Sequence, residues 1–448
     1  MTLKRNERKI TIKELEAANT ARKPWAAVRG NVYDLTKFID KHPGGKDFLL
    51  AAVGRDATAL YESLHSDTNT KVLAKYKIGI LLETNMPQYA KKSKFTNDLE
   101  KRVLAYFASI GRNPRDAPWM LLAYGILTAA FAVTYYGMFS QSVAQYSPIL
   151  PWVAAVLNGW SAAMTGFYLL HDSCHASFTR KPWVWQAMRR VYESITGLST
   201  LVWIYQHSLG HHSFTNVVGA DPDVVDENPG ILRVHDGQQW WSFYGLQRYY
   251  WFPLYTQLIL SRKLTEWKCL FYDRRFKHIK INPPQTSEYF WCTTVMTVYS
   301  IHHFVLPYTY FNHSILRILA LHTVTDIAWS TYLTLIVNAS HINSEVAWPK
   351  ADSQGKISED WAVLQIKSSL DFAHGDPWTT WLCGGLNYQA VHHMFPYVSQ
   401  YYYPEIADIV KDTCKDYGVP YHIKSSIWTA LGGHLGHLSL FGEKPVSS

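Results

Sequence analysis

Seven histidines stand in three short strings far apart in the chain: H-D-S-C-H at His171 to His175, Q-H-S-L-G-H-H with His207, His211 and His212, and Q-A-V-H-H with Gln389, His392 and His393. Imidazole binds iron, copper, nickel and zinc alike, so the strings read as a metal centre before they say which metal. On an α-helix, residues four apart lie a turn apart on one face, which predicts that His171 with His175, and His207 with His211, each clamp an ion. Gln389 and His392, three apart, share a face by the same rule. The doubled histidines let one element reach a second metal. A lone histidine in an apolar chain is more often hydrogen-bonded core, and that is how His235, His278, His302, His303, His313, His322, His374, His422, His434 and His437 are read. None of the strings has the Glu-x-x-His form of soluble di-iron bundles. The nearby acids Asp172, Asp221, Asp223 and Glu345 read as acceptors that fix an imidazole tautomer, with helix capping or a solvated turn as the alternative. Asp172 is also a weaker candidate ligand.

A second kind of site lies near the N-terminus. K-H-P-G-G-K at Lys41 to Lys46 precedes G-R-D-A-T at Gly54 to Thr58 and L-H-S at Leu64 to Ser66. Pro43 and the two glycines make a turn that lets the backbone pass close to a flat cofactor while fixing His42. Together with V-Y-D-L-T-K-F, Val32 to Phe38, this stretch resembles cytochrome b5. The resemblance implies that His42 and His65 are the axial ligands of a haem b. With imidazole on both faces of the iron, oxygen has no place to bind, and such a haem carries electrons. A redox donor has no role beside a hydrolytic zinc, so the histidine strings read as an iron site.

The three strings resemble the membrane-bound fatty acid desaturases, a di-iron family defined by three histidine boxes. Gln389 at the head of the third string resembles the front-end subgroup, which also carries the N-terminal cytochrome b5 domain. L-V-W-I-Y-Q-H-S-L-G-H-H followed by T-N-V-V-G-A-D-P-D, and L-N-Y-Q-A-V-H-H-M-F-P-Y-V-S-Q, are most similar to Δ5-type acyl desaturases. The resemblance covers nearly the whole chain. It implies two non-haem irons held by His171, His175, His207, His211, His212, Gln389, His392 and His393. It adds His341, and more weakly Asn338, from V-N-A-S-H at Val337 to His341. It further implies O2 as co-substrate, electrons from NADH through a separate cytochrome b5 reductase, and a fatty acyl substrate linked to CoA or phospholipid. The expected reaction is front-end desaturation, at Δ5 of a C20 polyunsaturated chain, with Δ6, Δ8 and Δ4 open. A sphingolipid long-chain-base desaturase shares these motifs and would differ in modifying the base. An acyl hydroxylase would leave oxygen in its product, and an electron-transfer haemoprotein with structural histidines would hold no iron beyond the haem.

Elements must carry these groups to one place, and the composition says what kind. Aromatic residues make up 15% of the 448 residues and charged residues only 17%, a balance suited to rings at a membrane–water boundary. The net charge of +8 is scattered around apolar segments and forms no continuous stripe, which excludes nucleic acid and favours an anionic membrane surface. The five cysteines are too widely spaced for a metal knuckle or a small disulfide framework and read as reduced thiols. The first residues have no apolar core, so no cleavable signal peptide is expected. Residues 8–85 read as the compact haem domain, 86–118 as a linker and amphipathic approach to the bilayer, and 119–440 as the catalytic domain. Spans are expected at 119–138, 149–170, 289–309 and 314–338, the last carrying Arg317 and Asp326 at membrane depth. The Lys- and Arg-rich approach puts both termini and the loop from His171 to Glu288 in the cytosol. The expected fold is an α-helical integral membrane protein of four transmembrane helices with a cytosolic di-iron cap and a small α+β haem domain. The family implies the endoplasmic reticulum; oligomeric state is not legible.

Overall fold

The computed structural model describes residues 7–65, 70–224 and 229–445; Ser66 of the L-H-S string lies outside them. Near the N-terminus five short strands, β1 (Lys9–Ile10), β2 (Asn19–Thr20), β3 (Lys23–Val28), β4 (Asn31–Asp34) and β5 (Lys77–Leu81), form one sheet in the order β1-β5-β4-β3-β2. β3 and β4 are antiparallel with Val28 opposite Asn31. The two residues between them, Arg29 and Gly30, both have positive φ (51° and 74°), the geometry that matches the twist of a two-residue hairpin. Two helices carry the local histidines: Gly45 is the N-cap of α1 (Lys46–Ala52), and His65 is the C-cap of α2 (Thr58–Leu64).

Residues 86–118 are not a free linker. Gln88–Ala90 pairs in parallel with Lys356–Asp360 of the catalytic region. Helix α3 (Lys94–Ser109) buries Phe95, Leu99, Val103 and Phe107. Its first turn is pinned by Asp360, which accepts from the Ser93 amide and the Thr96 hydroxyl, both at 2.7 Å. The amphipathic pattern is real, but its apolar face packs on the protein, because the cap domain offers it a complementary helix, 403–417.

Two helices follow that are long and apolar enough to cross a membrane, α4 (Trp119–Phe139) and α5 (Leu150–His175), and among the described residues they are the only two. On α4 Trp119 is 64% and Val133 70% exposed, as expected of a surface made for lipid. α5 is mostly buried and continues five residues past the expected end at Leu170, through a π-helical turn at Gly166–Leu170, to end at His175. The Asn158 amide of α5 donates to the Phe131 carbonyl and the Thr134 hydroxyl of α4, both at 3.0 Å. At Gly159 a Cβ would overlap the Thr325 carbonyl and Ala328, so glycine there sets the approach of the next long helix.

α6 (Pro182–Thr196) and the helical stretch α7 (200–214) run across the end of this bundle. The second pair of expected spans corresponds to α8 (286–309), broken by a π turn at Ile301–Val305, and α9 (Ile315–His341). Neither reaches the apolarity of the first pair, since α9 carries Arg317, His322, Asp326 and several threonines. Asp326 turns inward to Lys263 at 2.7 Å, a paired charge that faces protein. The short helix α10 (Gln389–Met394) brings the third histidine string back under α5 and α7.

Candidate metal centre and haem pocket

Five rings, those of His171, His175, His207, His212 and His392, bring one nitrogen each to within 4.8 Å of all the others. His211, His341 and His393 form a second such group, and all eight residues are buried. In the first group Nε2 of His392 lies 3.0 Å from that of His171 and 2.9 Å from that of His212, which lies 3.1 Å from His207 Nε2. In the second, His341 Nε2 is 3.2 Å from His393 Nε2 and 2.8 Å from the side-chain nitrogen of Gln389.

On four of the rings the opposite nitrogen points outward to a partner. His211 Nδ1 meets the Asp221 carboxylate at 2.9 Å, His393 Nδ1 the Gln365 carbonyl oxygen at 2.9 Å, His392 Nδ1 the Tyr403 hydroxyl at 3.0 Å, and His341 Nδ1 the Ser368 carbonyl at 3.4 Å. A ring whose Nδ1–H donates outward presents a bare lone pair at Nε2. Lone pairs about 3 Å apart repel unless a cation lies between them, and metal–imidazole bonds of about 2.1 Å at right angles give that same spacing. The donor set fits two metal ions bound mainly by neutral nitrogen.

The titration behaviour agrees. Burial holds His207, His212, His392 and His393 well below the usual imidazole range, with neighbouring histidines adding to it, and pushes His341 down to about 3. His211 is the exception: burial lowers it, but the Asp221 carboxylate outweighs burial and raises it.

Two expectations about shared helix faces fail, the first because of the local backbone. His207 and His211 do not clamp the same ion, because Ile204–His211 is a π-helix, whose repeat brings residues five apart into line. His207 therefore meets His212, and His211 faces the other group. Gln389 shares an α-helix with His392 but does not join it; it lies with His341 and His393, leaving His392 in the five-ring group. The doubled histidines are divided, one of each pair to each group.

The acids also sort. Asp221 is the one that orients a ring; Asp223 lies 3.7 Å from His211 Nδ1 and accepts from Gln206 at 2.5 Å. Asp172 falls outside both groups of ligating atoms, since one of its oxygens accepts from Tyr124 at 2.6 Å and Gln400 at 2.9 Å. Glu345 is remote, paired with Lys424 and His422. Asn338 lies one turn before His341 on α9. Residues missed in the sequence are Gln365 and Tyr403, polar groups aimed at ring nitrogens from segments with no motif. All five cysteines are free.

In the N-terminal domain the His42 and His65 ring centres are 6.1 Å apart across a cavity of about 370 Å³. Two metal–imidazole bonds of about 2 Å plus two ring half-widths span about 6 Å, the separation that a haem iron between them requires. Their Nδ1 atoms donate to backbone carbonyls of Gly45 (2.9 Å) and Tyr61 (3.1 Å), so both Nε2 atoms face inward. Burial lowers both, His65 to about 4, which keeps them neutral and able to ligate. Phe38, Phe48, Leu49, Leu64 and Leu73 supply apolar walls. The far wall belongs to the catalytic region: Cys174, His175 and Ala176, where Ala176 at φ 48° ends α5. His175, a member of the five-ring group, thus also lines the haem cavity. The domain is docked by Arg55, which donates to the Lys280 carbonyl and Asn282, and by Phe48 and Gly45 against Trp185, where a Cβ at Gly45 would collide with the indole.

Comparison with known proteins agrees with both sites. The fatty acid desaturase family profile matches residues 147–425, and that of the cytochrome b5-like haem/steroid-binding domain matches 11–82. The chain is 35% identical to an acyl-lipid (8-3)-desaturase of Mortierella alpina over 97% of its own length and 98% of the relative's. It is 32% identical to Delta(5) fatty acid desaturase A of Dictyostelium discoideum over 96% and 93%. An sn-1 linoleoyl-lipid 6-desaturase of Synechocystis is 27% identical over 81% of this chain and 99% of its own. The chain belongs to the fatty acid desaturase family, oxidoreductases acting on acyl lipids. Within that family it is a front-end desaturase fused to its own cytochrome b5-like domain.

Proposed function

We propose that the protein introduces a double bond at Δ5 of a C20 polyunsaturated acyl chain, between an existing double bond and the carboxyl end. The observation that carries the desaturase chemistry is the pair of buried histidine groups facing a haem cavity through His175. The regiospecificity is supported by the names of the relatives, an (8-3)- and a Delta(5) desaturase, each aligned over nearly its full length.

In this reading His171, His175, His207, His212 and His392 hold one iron, and His211, His341 and His393 the other, with Gln389 beside it. Iron held by these residues would supply the oxygen activation that no side chain provides. The protein's part is to keep the rings of His207, His212, His341, His392 and His393 neutral by burial, to fix the direction of four ligating rings through Asp221, Gln365, Tyr403 and the Ser368 carbonyl, and to exclude water. His42 and His65 hold the donor haem with no free face for oxygen. Docking the haem cavity against His175 replaces a diffusional encounter by a fixed contact. Electrons reach the haem from NADH through a separate reductase.

Four spans remain the proposed topology. Exposed apolar side chains on α8 and α9 (Phe290, Trp291, Val298, Leu316, Leu319) continue the lipid-facing surface of α4, and α9 packs along α5 through Gly159. Both metal groups and the haem domain then lie on the cytosolic face of the endoplasmic reticulum. The test is to express the chain in a host lacking polyunsaturated lipids, feed single C18, C20 and C22 acids, and map the new double bond by mass spectrometry. A Δ5 product from a C20 acid is expected; a bond at Δ6, Δ8 or Δ4, or a modified sphingoid base, would replace the Δ5 assignment.

A further inference from the structure

The rim of the haem cavity contains a cation that, among the described residues, no acid pairs with. Arg115 lines the cavity together with His42 and His65, yet lies well beyond residues 11–82 that match the cytochrome b5-like domain. It sits in the turn before α4, where its backbone amide donates to Asn113 at 3.0 Å. Among the described residues its guanidinium forms no ion pair or hydrogen bond with a side chain. The nearby acids are engaged elsewhere, Asp116 with Arg180 at 3.2 Å and Glu100 with Lys92 at 2.7 Å. The side chain is half-buried, and its positive field reaches both haem-facing histidines.

A partly desolvated guanidinium with five donors and no acceptor is costly unless an anion arrives to meet it. A haem held by His42 and His65 would fill this cavity, which Arg115 also lines, and a b-type haem carries two carboxylates on one edge. We propose that Arg115 binds a haem propionate, so that the haem site is completed by a residue of the connecting segment instead of by the cytochrome b5-like domain alone. This deepens the assignment of His42 and His65 and rests on it. Its consequence is mutual: the bound haem ties the donor domain to the catalytic domain, and loss of docking loosens the haem.

The experiment uses the full-length chain and measures haem loss as transfer to excess apomyoglobin, followed by absorbance. Arg115→Gln is expected to accelerate loss of ordinary haem by about fivefold to tenfold, the scale of one charge-assisted hydrogen bond at a partly exposed site. Arg115→Lys should fall between. After removal of the haem and reconstitution with haem dimethyl ester, whose propionates carry no charge, wild type and Arg115→Gln should lose it at equal rates. Equal rates with ordinary haem, or the same acceleration with both haems, would overturn the clamp. A wild-type chain that binds no haem at all would instead sink the assignment of His42 and His65.

Discussion

The haem pocket and the histidine centre both present imidazole to iron, but they are built at different ranges. His42 and His65 take their orientation from carbonyls three and four residues away in their own loops. In the metal centre three rings are oriented from afar: Gln365 holds His393, Tyr403 holds His392, and Ser368 holds His341. A locally built site survives damage elsewhere, whereas a site assembled from α5, α7, α9 and α10 depends on all of them at once.

That contrast sets the order of expected effects. His392→Ala should reduce product at least about a hundredfold, more than the usual cost of losing a supporting group, and lower non-haem iron while the haem absorbance is unchanged. His42→Ala should do the converse, abolishing the haem band and NADH-driven turnover with non-haem iron retained. If either variant lost both cofactors, the two sites would be one cooperative unit and the contrast would fail. Asp221→Asn should cost about tenfold to a hundredfold in activity or iron retention, since it leaves the ligand in place but frees its ring. The smallest effect is on stability. His65 is held near 4 when folded and titrates near 6.5 when unfolded, so the unfolded chain binds the extra proton. Its contribution is therefore complete above about pH 6.5 and is lost as pH falls toward 4, at most about 3 kcal/mol. Thermal melting of the haem-free chain should show a falling Tm over that window and none of this loss above it.

Range also decides what the sequence made legible. His42 and His65 were legible as a pair, because H-P-G-G and the second histidine are local signals with a local geometry, whereas the far wall of their cavity, Cys174, His175 and Ala176, was not. For the metal centre the ligands were legible as clusters, but their partition was not, since an α-helical spacing was assumed where the chain forms a π turn. The orienting groups Gln365 and Tyr403 carry no motif; only tertiary packing puts them there. The connecting segment was misread because an amphipathic helix looks the same whether lipid or protein covers it. The second pair of spans is legible by length, but α9 carries Arg317, His322 and Asp326 among its apolar residues, so composition alone marks only the first pair.

The π turn at Ile204–His211 means that register, as much as residue identity, is what selection must guard. Excising one residue from that turn, with every histidine retained, would rewind it toward an α-helix and swing His211 and His212 away from their separate ring groups. A shortened chain of unaltered histidine content should then be as inactive as one stripped of a ligand, a phenotype that substitution scans alone would never uncover.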